Sequence, residues 1–158
     1  ATFSRGRLMN RNAQPVLLVE DNPDDQALAL RALKRSDIRA PVVIANDGEE
    51  ALDYMFGTGA YAGRDCRQRP ALVLLDLKLP KVGGLDVLRR LREDQRTRSQ
   101  PIVVLTTSNE ESDLHNSYQL HVNSYVRKPV SSEQYDDVMR EIGEYWLTLN
   151  LPPPAPVL

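Results

Sequence analysis

The chain is short of several things, and each shortage closes off a class of function. Only one of its 158 residues is cysteine, Cys66, so an internal disulfide and a multi-cysteine zinc site are both excluded. No apolar run approaches the roughly 20 residues needed to span a bilayer. Residues 1–14 are polar and basic with no apolar stretch, which speaks against a secretory signal there. Neither glycine pattern of a Rossmann or P-loop nucleotide site follows the first apolar run. An excess of one charge is missing too. The 20 Lys and Arg nearly cancel the 22 Asp and Glu, leaving a formal charge of −2. That balance argues against a bulk electrostatic grip on nucleic acid or an anionic membrane. The reading is a protein of the cytoplasm.

What is present suits one globular domain with a sizeable core, at 41% hydrophobic and 27% charged residues. Five short runs read as strands: Val16 to Val19, Val42 to Ala45, Ala71 to Leu75, Ile102 to Leu105 and Ser124 to Val126. Their spacing is that of a strand plus a crossover helix. The first four are continuously apolar, as expected of strands covered on both faces. Between them lie amphipathic segments at Asp24 to Ser36, Gly48 to Phe56, Gly84 to Asp94 and Glu110 to Leu120. Asn22 or Asp24 can cap the first. In the third, Leu85, Leu88 and Leu91 form one stripe, while Arg89, Arg90 and Arg92 read as its solvated face. A last helix is predicted from Ser131 to about Leu149. Its Tyr135, Val138, Met139, Ile142, Tyr145, Trp146 and Leu149 gather on one side, and Ser131 or Ser132 caps it. Gly57 to Pro70 reads as an enlarged surface loop. Residues 1–14 are expected to be disordered, with Met9 a candidate natural start. The domain is expected over residues 15–149, followed by a proline-rich tail over 150–158.

Alternating strands and helices imply an α/β fold, an open doubly wound sheet that binds ligands at the carboxyl ends of its strands. The residues just after each strand are therefore the ones to inspect. They are Glu20 and Asp21 after the first, Asp76 after the third, Thr106, Thr107 and Ser108 after the fourth, and Lys128 and Pro129 after the fifth. Three carboxylates in one crevice repel one another and call for a cation. Oxygen ligands with few protein carboxylates suit Mg²⁺, which keeps waters and accepts a phosphate oxygen. A lysine and a threonine hydroxyl opposite supply what a phosphoryl group needs. His115 and His121 lie outside this set and read as surface or packing residues. Cys66 reads as a reduced loop thiol.

Glu20-Asp21, Asp76 within Leu74 to Pro80, Gly83-Gly84, Thr106 and the run Tyr125-Val126-Arg127-Lys128-Pro129 together resemble the receiver domain of two-component response regulators. The resemblance covers roughly Pro15 to Leu149. It implies a flavodoxin-like sheet of five parallel strands in the order 2-1-3-4-5, with an extended C-terminal helix. It implies that Asp76 accepts a phosphoryl group from a phosphohistidine on a sensor kinase. Asp21, Asp76, the backbone carbonyl of Lys78 and, through water, Glu20 would hold Mg²⁺. Lys128 would pair with the acyl phosphate, and the Lys128-Pro129 bond is expected to be cis, as it resembles the family's. Thr106 would turn onto the phosphoryl oxygens, and Tyr125 would change rotamer to report the event. Glu20 replaces the more common Asp, and Lys78 and Ser108 sit where phosphate lifetime is tuned.

The Tyr54-Met55-Phe56 helix end, the loop through Tyr61-Ala62-Gly63, the run Leu105 to Ser108 and the end Tyr145-Trp146-Leu147 resemble stand-alone regulators paired with bacterial phytochrome kinases. That implies a phytochrome-type kinase as partner. It also implies a homodimer through the fourth helix, fifth strand and fifth helix, with Tyr145 and Trp146 at the interface. After Lys128 the sequence offers one helix and a tail, so output is expected through protein contact and not through catalysis beyond self-phosphorylation and autodephosphorylation. Two other functions compete. A receiver-like module could bind partners without phosphorylation. A phosphatase of the haloacid dehalogenase type also uses a strand-end Asp with Mg²⁺, but needs a second Asp two positions on, where this chain has Lys78.

Overall fold

The computed structural model describes residues 14–36 and 38–155. The predicted N-terminal disordered segment, Gln14 apart, and the last three residues of the tail lie outside them. Five strands form one sheet: β1 (Val16–Val19), β2 (Val42–Ala45), β3 (Leu72–Leu75), β4 (Ile102–Thr106) and β5 (Ser124–Arg127). All neighbours are parallel, in the order β2-β1-β3-β4-β5. The chain therefore steps outward from β1 one way, then crosses back through β3 to β5, which puts the reversal of winding between β1 and β3.

Helices cover both faces, and the strand period of two decides which residue meets which helix. Leu17, Val19, Val73, Leu75, Ile102 and Val104 point toward α2 (Gly48–Phe56) and α3 (Gly84–Glu93), where Ala51, Met55, Leu88 and Leu91 are buried. The alternate residues Val16, Leu18, Leu72, Leu74, Val103 and Leu105 face α1 (Pro23–Arg35) and α5 (Ser132–Glu144), against Ala29, Leu33, Tyr135 and Met139. β1, β3 and β4 are buried throughout, as their unbroken apolar runs require. β2 is apolar too, but as an edge strand its first three residues are only half-buried. The remaining helix, α4 (Glu111–Gln119), buries only Ser117.

Helix boundaries follow local chemistry. The Asn22 side chain accepts from the amides of Asp24 and Asp25, with Pro23 at the first helical position, so Asn22 rather than Asp24 caps α1. Ser131 caps α5 by accepting from the Gln134 amide. The predicted single last helix changes form near its end. It is α-helical to Glu144 and then a π-turn over Tyr145–Leu149, closed by Asn150 N–H donating to the Tyr145 carbonyl at 2.7 Å.

One further feature differs from the sequence expectation, and two more are contacts that the sequence left unspecified. Arg92 is not part of a solvated face. Its guanidinium donates to the carbonyls of Arg98, Gln100 and His121 and to the Asn123 side chain, tying the loop before β4 to the loop before β5. The Gly57 to Pro70 loop is anchored to the domain: Arg64 lies 3.8 Å over the Tyr54 ring, which meets Tyr61 edge-on. The proline-rich tail turns back onto the domain, where buried Arg69 donates to the Pro154 carbonyl at 2.9 Å and to Ser99 at 3.2 Å.

Candidate functional site

The site lies at the carboxyl ends of β1, β3, β4 and β5. β1 runs straight into Glu20, which is 3% exposed. Its carboxylate accepts from the Asn22 amide at 3.0 Å, and its carbonyl accepts from Gln26 at 2.5 Å. The first turn of α1 thus fixes both ends of this residue. Asp21, the next residue, is exposed. β3 delivers Asp76, whose Oδ1 accepts from the Lys78 amide at 3.3 Å. The chain after Asp76 is held down because Gly84 opens α3 with no side chain. A Cβ there would overlap the Asp76 carbonyl oxygen and stand 2.6 Å from Leu77 Cα. Gly48 does the same for the far side of this loop, where a Cβ would overlap the Val82 carbonyl.

β4 ends in fully buried Thr106, whose hydroxyl accepts from the Ser108 amide at 3.3 Å. Its carbonyl accepts from the Lys128 amide at 2.8 Å, so the β4–β5 pairing carries Lys128 to the centre of the crevice. There the Lys128 ammonium donates to Glu20 at 2.5 Å, Asp25 at 2.9 Å and Asp76 at 3.1 Å. Lys128 does this without the expected cis bond to Pro129: no described residue has a cis peptide. The trans form is the less costly one for an X–Pro bond, and the long lysine side chain reaches all three carboxylates from it.

The electrostatics follow from crowding. Glu20, Asp21 and Asp76 each bring a carboxylate oxygen within 4.8 Å of the others. Burial pushes the Glu20 pKa up to about 7, against the pull of its bonds to Lys128 and Asn22, and the Asp76 charge adds to the rise. Burial also works against the Lys128 charge, yet its bonds to Glu20 and Asp25 and the field of Asp76 outweigh it and hold the ammonium above the usual lysine range. One ammonium faces more carboxylate charge than it can neutralise. An all-oxygen donor set with surplus negative charge fits a hard divalent cation.

Tyr125 lies on β5 with its phenol oxygen buried and without a hydrogen-bond partner. Burial raises its pKa, and nearby Ser108 opposes the rise while donating its own hydroxyl to Asp113 at 2.6 Å. Tyr145, half-exposed, meets Trp146 edge-to-face at 4.9 Å, on the π-turn away from the carboxylates. His115 and His121 are exposed and distant in role, His121 holding a left-handed turn at φ 61°. Cys66 is a free, half-buried thiol. Sequence reasoning did not single out Asp25. Its only signal was a second acid in the first turn of a helix that starts at the site.

Comparison with known proteins agrees with this geometry. The chain is 44% identical over 138 residues to the probable methanogenesis regulatory protein FilR2 of Methanothrix harundinacea, covering 87% of this chain and 86% of that one. It is 40% identical to the phosphorylated cyanobacterial phytochrome response regulator RcpA, with a TM-score of 0.83 over 89% of this chain and 99% of that one. The bacteriophytochrome response regulator AtBRR is 48% identical, with a TM-score of 0.70 over 88% and 99%. Receiver domains bind a divalent metal, as the Mn²⁺-bound form of Rcp1 illustrates. Residues 16–140, which contain the whole carboxylate and lysine cluster, match the response regulator receiver domain, and the chain belongs to that family.

Proposed function

We propose that Asp76 is the phosphoacceptor of a signalling switch fed by a phytochrome-type sensor histidine kinase. The observation that carries this is the Lys128 ammonium seated between Asp76 and Glu20 at the sheet's winding reversal. In the transfer, an Asp76 carboxylate oxygen attacks phosphorus of the kinase phosphohistidine. The P–O bond forms as the P–N bond breaks, and the imidazole nitrogen leaves with the bonding pair. Asp21, Asp76, the Lys78 carbonyl and, through water, Glu20 would hold Mg²⁺, which when bound offsets carboxylate and phosphate charge during transfer. Lys128 keeps its ammonium beside the oxygens of the acyl phosphate. Thr106 gives up its bond from the Ser108 amide to donate its hydroxyl to a phosphoryl oxygen, and the loop after β4 moves with it. Tyr125 then changes rotamer to report the event.

Output runs through protein contact in the cytoplasm. A homodimer would use α4, β5 and α5, with Tyr145 and Trp146 at the interface. Tyr145, Leu149 and Leu151 are about half or more exposed on the last turn and just beyond it, an apolar group that an interface would cover. The phytochrome link is supported by the kinship with RcpA and AtBRR, both described as phytochrome or bacteriophytochrome regulators.

Intact-mass spectrometry after incubation with acetyl phosphate and Mg²⁺ tests the chemistry. The wild type gains one phosphoryl group, and neither the Asp76→Asn variant nor the metal-free wild type does. An adduct that persists in Asp76→Asn would place the chemistry elsewhere.

A further inference from the structure

The Lys128 ammonium has three protons and meets three carboxylates, which accounts for all of them. The three acceptors differ in kind. Glu20 and Asp76 also belong to the carboxylate trio that suits a cation. Asp25 stands outside that trio, on the first turn of α1, with its backbone amide fixed by the Asn22 cap. A cation on the trio, or a phosphoryl group on Asp76, draws on the same two carboxylates that Lys128 bonds. The Asp25 bond alone goes to a carboxylate outside the trio. The Lys128 side chain is 5% exposed and Asp25 29%, so the pair is a largely desolvated one in which a single charge-assisted bond has real weight.

We infer that Asp25 is a positioning residue for Lys128, holding the ammonium beside Asp76 while the cation and the phosphoryl group occupy the other two acceptors. The inference rests on the proposed transfer to Asp76 and assigns Asp25 a part in it. Two consequences of removing the Asp25 charge oppose each other, which makes the sign informative. As one negative charge fewer near an anionic donor, Asp25→Asn speeds phosphorylation. As the loss of the lysine's remaining anchor, it slows it.

The test compares wild type, Asp25→Asn and Asp25→Glu in acetyl phosphate with saturating Mg²⁺, following the phosphorylated fraction by intact mass. The expected result is a slowing of about tenfold in Asp25→Asn, the weight of one charge-assisted hydrogen bond, with Asp25→Glu within about threefold of wild type. A rate in Asp25→Asn equal to or above wild type overturns the inference, as does an Asp25→Glu variant as slow as Asp25→Asn. A second readout needs no phosphate: the Lys128 side-chain ¹⁵N–H signal of the Mg²⁺-loaded protein. It is slow to exchange with water in wild type and Asp25→Glu, and broadened away in Asp25→Asn. An unchanged signal in Asp25→Asn also overturns the inference. Should the wild type itself take up no phosphoryl group, the transfer reading fails, and the lysine signal alone decides whether Asp25 anchors Lys128.

Discussion

A side chain at Gly84 would run into the carbonyl oxygen of Asp76. The Gly84 amide also donates to the carbonyl of Leu77, the residue after Asp76, at 2.9 Å. The start of α3 therefore acts as a template for the backbone that carries the central carboxylate. The obstructing atoms are backbone, which moves only if the loop or the helix moves. Gly84→Ala is expected to lower stability by about 2 kcal/mol, the cost of overpacking against fixed atoms. That corresponds to a fall of roughly 5 °C in melting temperature for a chain of this size. Differential scanning calorimetry checks it, and an unchanged Tm would mean that the loop after Asp76 is free to shift.

Arg92 and Arg90 lie two residues apart on α3 and look alike in sequence. Arg92 donates four hydrogen bonds to groups from two loop segments, whereas Arg90 is exposed and makes no described bond. Several carbonyls left without a donor cost more than a surface charge. Arg92→Ala is expected to destabilise by about 2 kcal/mol and Arg90→Ala by less than about 0.5 kcal/mol. Arg92→Lys is expected to recover less than half of the loss, because an ammonium cannot span the fork. Urea unfolding of the three variants separates these values.

The sheet was readable because β1, β3 and β4 carry unbroken apolar runs, which a strand needs only when helices cover both its faces. The site's outline was readable for a related reason: in a parallel sheet the residue after each strand falls on one edge, so Glu20, Asp21, Asp76 and Lys128 converge whatever the loops do. Position along the chain does not say which way a side chain turns. Asp24 and Asp25 are neighbours with the same chemistry, and only the orientation of the first helical turn sends Asp25 to Lys128. Arg92 escaped for the same reason, since its partners come from residues 98 to 123 and leave no periodic mark. The fold back of Pro154 onto Arg69 joins residues 85 positions apart. The change from α- to π-helix at Tyr145 is a matter of one shifted hydrogen bond, to which the apolar spacing is blind.

Tyr135 connects the α5 core to alkaline stability. It is 3% exposed, and burial raises its phenol pKa above the ordinary value, against the pull of Lys128. In the unfolded chain the phenol ionises near pH 10. The folded state therefore holds the proton longer, and the stability from this group is complete below about pH 10 and is lost as pH rises through the folded value. Above pH 10 the loss approaches about 1.4 kcal/mol per pH unit. Tyr135→Phe removes the group, so its melting temperature is expected to fall less steeply than wild type between pH 10 and pH 11. Parallel slopes for the two proteins would show that the phenol ionises in place.

Among the described residues Lys128 is the one cation bonded to Glu20, Asp25 and Asp76, and its removal leaves buried carboxylate charge without compensation. Breaking such a group by deleting one partner costs about 3 kcal/mol or more. Lys128→Met is of similar length and keeps the packing, so the expected fall of roughly 10 °C in melting temperature without divalent cation reports the charge alone. Mg²⁺ restores part of that loss, because a cation on Glu20, Asp21 and Asp76 replaces the missing positive charge. The gain in Tm on adding Mg²⁺ is therefore expected to be larger in Lys128→Met than in wild type. A smaller gain in the variant would mean that Lys128 assists cation binding instead of competing for its ligands. The fit of the trio to a divalent ion would then have to be sought in a rearranged site. Calorimetry of both proteins with EDTA and with excess Mg²⁺ distinguishes the two outcomes without reference to phosphorylation.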